Sequence, residues 1–196
     1  GMHGTVYANY AVNEADVVLA LGIRFDDRIA GVPKEFCKDA TIIHVDIDPA
    51  EIGKNKLIDI PIVGDLKHVL NEINHELTPQ THESWLERIR EWREEYPIRV
   101  RPHEGNSLLP QKVIQEIDNI VKGNAIVVTD VGQHQMWTSQ FITFSKPNTI
   151  ITSGGAGTMG FGLPAAIGAQ VAQPDKKVVL ITGDGGLQMN SQELLL

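Results

Sequence analysis

Two rhythms of apolar residues alternate along the chain. One is the short unbroken run: Asp16-Val17-Val18-Leu19-Ala20-Leu21-Gly22, Thr41-Ile42-Ile43-His44-Val45-Asp46 and Ile60-Pro61-Ile62-Val63-Gly64-Asp65 in the first half. Ala125-Ile126-Val127-Val128-Thr129-Asp130, Thr149-Ile150-Ile151-Thr152 and Lys177-Val178-Val179-Leu180-Ile181-Thr182 follow in the second. Such runs read as strands buried on both faces, and Pro61 places the third at an edge or a strand start. The other rhythm has helical spacing: Leu66, Val69, Leu70, Ile73 and Leu77, then Val113, Ile114, Ile117, Ile120 and Val121. Further helices are expected from about Gln133 to Phe144, from Pro164 to Val171, and starting at Gln188. Strands alternating with helices predict an α/β fold of parallel sheets flanked by helices.

Residues 79–108 break this alternation. Pro79, Pro97, Pro102 and Gly105 punctuate them, and Trp85, Ile89, Trp92 and Tyr96 share one helical face. That stripe is expected to pack against a domain. The reading is therefore a first α/β segment over 1–78, a connector over 79–108 and a second α/β segment over 109–196.

Composition narrows the function. A net charge of −8 disfavours nucleic-acid binding, which needs basic patches. No apolar stretch approaches a membrane span, and residues 1–20 do not read as a signal peptide. Cys37 is the single cysteine, which excludes an internal disulfide or a thiolate metal cluster and suits a reducing, cytoplasmic compartment. His68, His75 and His82 recur at sevens without metal-ligand spacing.

The candidate chemistry sits where the second segment's strands end. Ser153-Gly154-Gly155-Ala156-Gly157-Thr158-Met159-Gly160-Phe161-Gly162 contains G-x-G-x-x-G between a strand and a helix, as a dinucleotide site would. Gly183-Asp184-Gly185-Gly186 closes the last strand. The acid there has two possible jobs: binding the ribose of NAD, or ligating a magnesium ion that holds a diphosphate. Asp130-Val131-Gly132-Gln133-His134-Gln135 closes a third strand. Three such loops together suit a diphosphate and its metal better than a ribose. NAD-dependent oxidoreduction stays open as the alternative, as does a binding module without chemistry.

These motifs carry a resemblance. Gly183-Asp184-Gly185 resembles the opening of the thiamine diphosphate motif. Gly1-Met2-His3-Gly4, Gly22-Ile23-Arg24-Phe25-Asp26-Asp27-Arg28, His44-Val45-Asp46-Ile47-Asp48, Gly132-Gln133-His134-Gln135-Met136-Trp137 and Gly157-Thr158-Met159-Gly160 are similar, in order along the whole chain, to catalytic subunits of the acetolactate synthase family. Glyoxylate carboligases are less similar at the first and fourth of these. The resemblance implies part of an FAD-binding Rossmann-like domain followed by the first half of a thiamine diphosphate-binding domain. It implies decarboxylating condensation of pyruvate with a second 2-keto acid, pyruvate or 2-ketobutyrate, in branched-chain amino-acid synthesis.

By the same resemblance, Gln133 and His134 contact the cofactor's diphosphate, with Thr158, Gly185 and Gly186 beside it. Gly157 and Met159 hold the aminopyrimidine, and the Met159 side chain bends the cofactor into a V. Asp184 binds Mg2+. Gly1, Met2, His3, Gly22, Ile23, Arg24, Phe25, Asp26, Asp46, Ile47 and Asp65 line FAD, and Arg28 lies near the substrate channel. For Arg24 and Arg28, a plain surface ion pair with Asp26 or Asp27 is the competing reading; for Met159 it is a core position. A homodimer or tetramer is implied, with a small regulatory subunit as a further partner. The family's catalytic Glu and its second metal ligand, an Asn, have no counterpart in this sequence. The chain is thus expected to read as a piece of such an enzyme: to hold cofactor and metal weakly or not at all and to make no acetolactate from pyruvate unaided, so steady production by it would contradict this.

Overall fold

The unbroken apolar runs form strands in the computed structural model of the chain, which describes residues 1–100 and 108–195. Pro102, Gly105 and Leu196 fall outside the described residues. The fold divides into two units, Gly1–Pro97 and Ile98–Leu196. Each is built on three parallel strands with helices packed around them, the α/β architecture the alternation predicts.

In the first unit β1 (Val17–Leu21), β2 (Thr41–Asp46) and β3 (Ile60–Val63) lie in the order β1-β2-β3. The register pairs Val17 with Thr41 and Asp46 with Val63, so all three strands end at the same edge. Two loop amides prolong the ladder there: Gly22 N–H donates to the Val45 carbonyl at 2.8 Å and Gly64 N–H to the Asp46 carbonyl at 2.9 Å. Pro61 lies on β3, an edge strand, where a missing N–H is tolerated. Ala20, Phe25, Ala30, Phe36, Cys37 and Ile42 form the core, which includes the short helix α2 (Asp27–Ala30).

The helices α1 (Val6–Asn13), α3 (Leu66–Glu76) and α4 (Glu83–Glu95) complete this unit. The periodicity does not predict α1, because valine, tyrosine and alanine are spread around it rather than along one stripe. Thr5 caps it, its Oγ1 accepting from Ala8 N–H at 3.1 Å. α1 in turn gives the aromatic stripe of α4 its partner. Tyr10 stacks on Trp92 and Tyr96 at 5.7 and 5.4 Å, Trp85 meets Trp92 edge-on, and Arg88 lies over the Trp92 ring. Trp92 is 3% exposed. The helix between the prolines thus packs within the first unit.

In the second unit β4 (Ala125–Thr129) is central between β5 (Ile150–Thr152) and β6 (Lys177–Ile181). Every residue of β4 is buried, as an unbroken apolar run requires. Alternate side chains serve opposite faces. Val127 packs with Ile114, Ile142 and Ile181 beneath α5 (Pro110–Val121) and α6 (Gln133–Phe141). Ile126 and Val128 pack with Ala166 and Ala169 of α7 (Gly162–Ala172), whose small residues permit close approach to the sheet.

The last helix differs from expectation. α8 runs from Asp184 to Met189 instead of starting at Gln188, and a 3-10 turn covers Ser191–Leu195. Gly185 and Gly186 hide its start from propensity. Asn190 breaks it, turning its side chain onto the Gly160 carbonyl at 2.7 Å.

Candidate functional site

Because β4, β5 and β6 are parallel and in register, the loops that follow them emerge at one edge. The chain passes from β4 to β5 on one side and returns to β6 on the other. Such a reversal opens a crevice at the carboxyl ends of the strands, where open α/β sheets take their ligands.

The loop after β4 begins with Asp130, which is wholly buried. Its Oδ1 accepts from Val131 N–H at 2.8 Å and Gly160 N–H at 3.1 Å, and its Oδ2 from Gly162 N–H at 2.7 Å. In the sequence Asp130 reads as a strand end with no role assigned. No local signal marks it: Asp184 stands out by its flanking glycines, whereas Asp130 lies between Thr129 and Val131.

This carboxylate bears on the G-x-G-x-x-G loop. In a dinucleotide site the amides leading into the helix would face a pyrophosphate. Here those of Gly160 and Gly162, at the start of α7, already face a fixed protein carboxylate. The loop keeps a defined shape by other means. Ser153 folds it back, its Oγ accepting from Thr158 N–H at 3.0 Å and its carbonyl from Gly157 N–H at 3.1 Å. Thr152 Oγ1 receives Thr129 Oγ1 and Gln135 Nε2, each at 2.8 Å, tying the strand residue that precedes the loop to β4 and α6. Thr158 is exposed, and Met159 is 44% exposed, not buried as a core methionine would be. A β-carbon on Gly185 would stand 3.1 Å from Met159 Cε, so the loops after β5 and β6 touch there.

Gln133 and His134 open α6. Gln133 is exposed. The His134 ring lies between Gly132 and Gly183, where added β-carbons would come within 3.0 and 3.4 Å of it. Its Nε2 is buried with no protein partner, an unmet donor or acceptor where a ligand is expected. Burial pushes the His134 pKa below its usual value, against the opposing pull of the Asp130 carboxylate and of a hydrogen bond to the Asp130 main chain. The sign is definite: the folded state prefers neutral His134, so its contribution to stability is present above the unfolded pKa of about 6.5 and is lost as pH falls through the lower folded value. Urea unfolding at acid and neutral pH checks this, with the acid loss expected to shrink in His134→Gln.

Asp184 is the first residue of α8 and is exposed; its Oδ1 accepts from Gly185 N–H at 2.9 Å. Among the described residues no three His, Cys, Asp or Glu side chains gather as a ready metal cage. A lone exposed carboxylate fits a magnesium ion whose other ligands are mostly phosphate oxygens and water.

In the first unit Gly22 follows β1, Asp46 ends β2 with Ile47 after it, and Gly64-Asp65 follow β3, all at one edge. Gly22 takes φ +62°, a conformation that favours glycine. Arg24 is paired with Asp26 at 2.8 Å, and Arg28 lies 3.8 Å from Asp27. Asp26 also caps α2, and Asp65 caps α3 through Lys67 and His68 N–H. Asp46 Oδ1 accepts from Asp48 N–H at 2.9 Å, while Ile47 is 71% exposed. Phe25 is 1% exposed, so it can offer a ligand mainly its backbone. Met2 N–H donates to the Arg28 carbonyl, bringing Gly1 and Met2 beside Arg28 in a cavity of about 330 Å3, while His3 is half-buried. His44 is fully buried with no hydrogen bond to either ring nitrogen, its Nε2 4.0 Å from Asp46 Oδ2; in the sequence it stands out only as a strand residue and as part of the His44-Val45-Asp46-Ile47-Asp48 motif. The two sets of candidate residues belong to different units.

Comparison with known proteins agrees with this partition. Residues 1–73 match the central domain of thiamine pyrophosphate enzymes, and residues 130–195 their C-terminal TPP binding domain. The acetolactate synthase large subunit of Cyanidium caldarium is 50% identical over 201 residues, taking in 99% of this chain and 34% of that protein. That of Pyropia yezoensis is 50% identical over 200 residues, 99% of this chain and 33% of the relative. The chloroplastic acetolactate synthase 1 of Oryza sativa subsp. japonica is 48% identical over 202 residues, 100% of this chain and 31% of the relative. The chain thus spans about a third of the length of these relatives. It belongs to the thiamine pyrophosphate enzymes, as a segment similar throughout to the acetolactate synthase large subunit.

Proposed function

We propose that the strand-end loops of the second unit hold thiamine diphosphate with Mg2+. We further propose that the protein to which this segment corresponds joins pyruvate to a second 2-keto acid with loss of carbon dioxide, giving 2-acetolactate or 2-aceto-2-hydroxybutyrate. The observation that carries the reading is the division of labour in the crevice. Asp130 engages the amides that a dinucleotide pyrophosphate would use, and His134 Nε2 is left buried and unpartnered nearby.

Gln133 and His134 then take the diphosphate, and Asp184 supplies the carboxylate ligand of its metal. Thr158, Gly185 and Gly186 line the approach. Gly157 and the Met159 carbonyl hold the aminopyrimidine, while the half-exposed Met159 side chain supports the bend of the cofactor. When bound, the cofactor supplies the electron sink that decarboxylation of a 2-keto acid requires. The chain's own contribution is placement: an anion held at one end of the crevice and an aromatic ring at the other.

For the first unit we propose FAD, along the edge formed by Gly22, Ile23, Arg24, Asp26, Asp46, Ile47 and Asp65 with Gly1, Met2 and His3. The supporting observations are the shared strand ends and the positive φ of Gly22. A homodimer or tetramer, a small regulatory subunit and a cytoplasmic setting belong to the same proposal. Among the described residues no helix is long and apolar enough to cross a membrane.

Calorimetric titration of the chain tests the central part. Weak but saturable binding of thiamine diphosphate that requires Mg2+ is expected, with no heat from NAD. Saturable NAD binding, with none for thiamine diphosphate, would overturn the reading.

A further inference from the structure

We propose that Asp130 and Asn190 are positioning residues that clamp Gly160 from both sides and so set the height of the Gly157–Met159 turn above the sheet. The proposal rests on the thiamine diphosphate reading for its consequence, and on geometry for its existence.

Gly160 follows Met159 directly. Its N–H donates to Asp130 Oδ1 at 3.1 Å, and its carbonyl accepts from Asn190 Nδ2 at 2.7 Å. Both polar groups of one peptide-linked residue are thus held by side chains 30 positions away, in opposite directions along the chain. Gly160 has φ +85°, and a β-carbon there would stand 2.9 Å from Asn190 Nδ2. Two residues further on, Gly162 N–H donates to the other oxygen of Asp130 at 2.7 Å. Asp130 itself has no room to move: it is wholly buried at the end of the central strand and also receives Val131 N–H. The loops after β4 and β5 and the end of α8 therefore share one anchor. Exposed glycines would otherwise let the turn wander, and a ligand ring needs its partner atoms fixed to a fraction of an ångström.

A clamp of this kind has a distinct signature. Loosening its Asn190 side should blur the turn without disturbing the diphosphate end, which depends on Gln133, His134 and Asp184. Asn190→Ala removes one jaw at a half-buried position, and Asp130→Asn replaces an acceptor oxygen with a donor facing the Gly160 or Gly162 amide.

The test has two arms on the same chain. Amide hydrogen exchange, read residue by residue by NMR without ligand, is expected to speed up at least about tenfold at Gly160 and Gly162 in each variant that folds. Val127 and Val128 in β4 should be unchanged. Unaltered exchange at both glycines would overturn the clamp, and Asn190→Ala carries this arm if Asp130→Asn does not fold. In the second arm, Mg2+ with thiamine diphosphate is compared with Mg2+ with inorganic pyrophosphate. Asn190→Ala, which leaves the Asp130 carboxylate beside His134 in place, should lose affinity for the first by about tenfold and keep the second within about twofold. Equal loss of both would overturn the positioning role. Binding of neither by the unmodified chain would sink the cofactor reading, while the exchange result would still decide the clamp.

Discussion

Gly186→Ala is expected to destabilise the second unit by about 2–4 kcal/mol, although alanine is the better helix former by about 1 kcal/mol. Gly186 lies inside α8, so propensity on its own predicts a gain. Packing predicts the opposite. A β-carbon at this position would stand 2.4 Å from Asp130 Oδ1 and 2.6 Å from its Cγ. Asp130 cannot swing aside without releasing the Val131, Gly160 and Gly162 amides, each worth about 1–3 kcal/mol when buried and unpaired. Denaturant unfolding of the second unit checks this. A variant as stable as the original, or more so, would mean that Asp130 does not pack against α8.

Phe25→Ala should cost the first unit about 3–5 kcal/mol, the usual range for emptying a buried phenylalanine site. Phe25 meets Phe36 edge-on at 6.2 Å and His44 edge-on at 5.3 Å. It holds φ +48°, so alanine keeps the backbone strain and loses the packing that offsets it. Unfolding of the first unit at lower denaturant, with the second unit unaffected, is the expected outcome. An unchanged midpoint would contradict the placement of Phe25 in the core.

How far the sequence reveals this molecule depends on the range of each interaction. The strands were legible because burial on both faces leaves an unbroken apolar run, as all five residues of β4 show. The strand-end loops were legible because Gly, Asp and His cluster immediately after those runs. Helix α1 was not, since its apolar residues do not fall on one stripe. The start of α8 was obscured by Gly185 and Gly186. The work of Asp130 and Asn190 was invisible for a different reason. Each bonds a backbone group about thirty residues distant, and no local pattern encodes such a partner. His134 lies between these cases: its position was readable, while its buried, unpartnered Nε2 required the packing of Gly132 and Gly183 around it.

The central claim is that the second unit's strand ends form a thiamine diphosphate site. The most direct measurement is an amide chemical-shift map of the isotopically labelled chain, titrated with thiamine diphosphate in the presence of Mg2+. Saturable shifts are expected at Gln133, His134, Gly157, Thr158, Met159 and Gly185, strongly reduced when Mg2+ is withheld. Shifts confined to other surfaces, or none at these residues at saturating ligand, would contradict it.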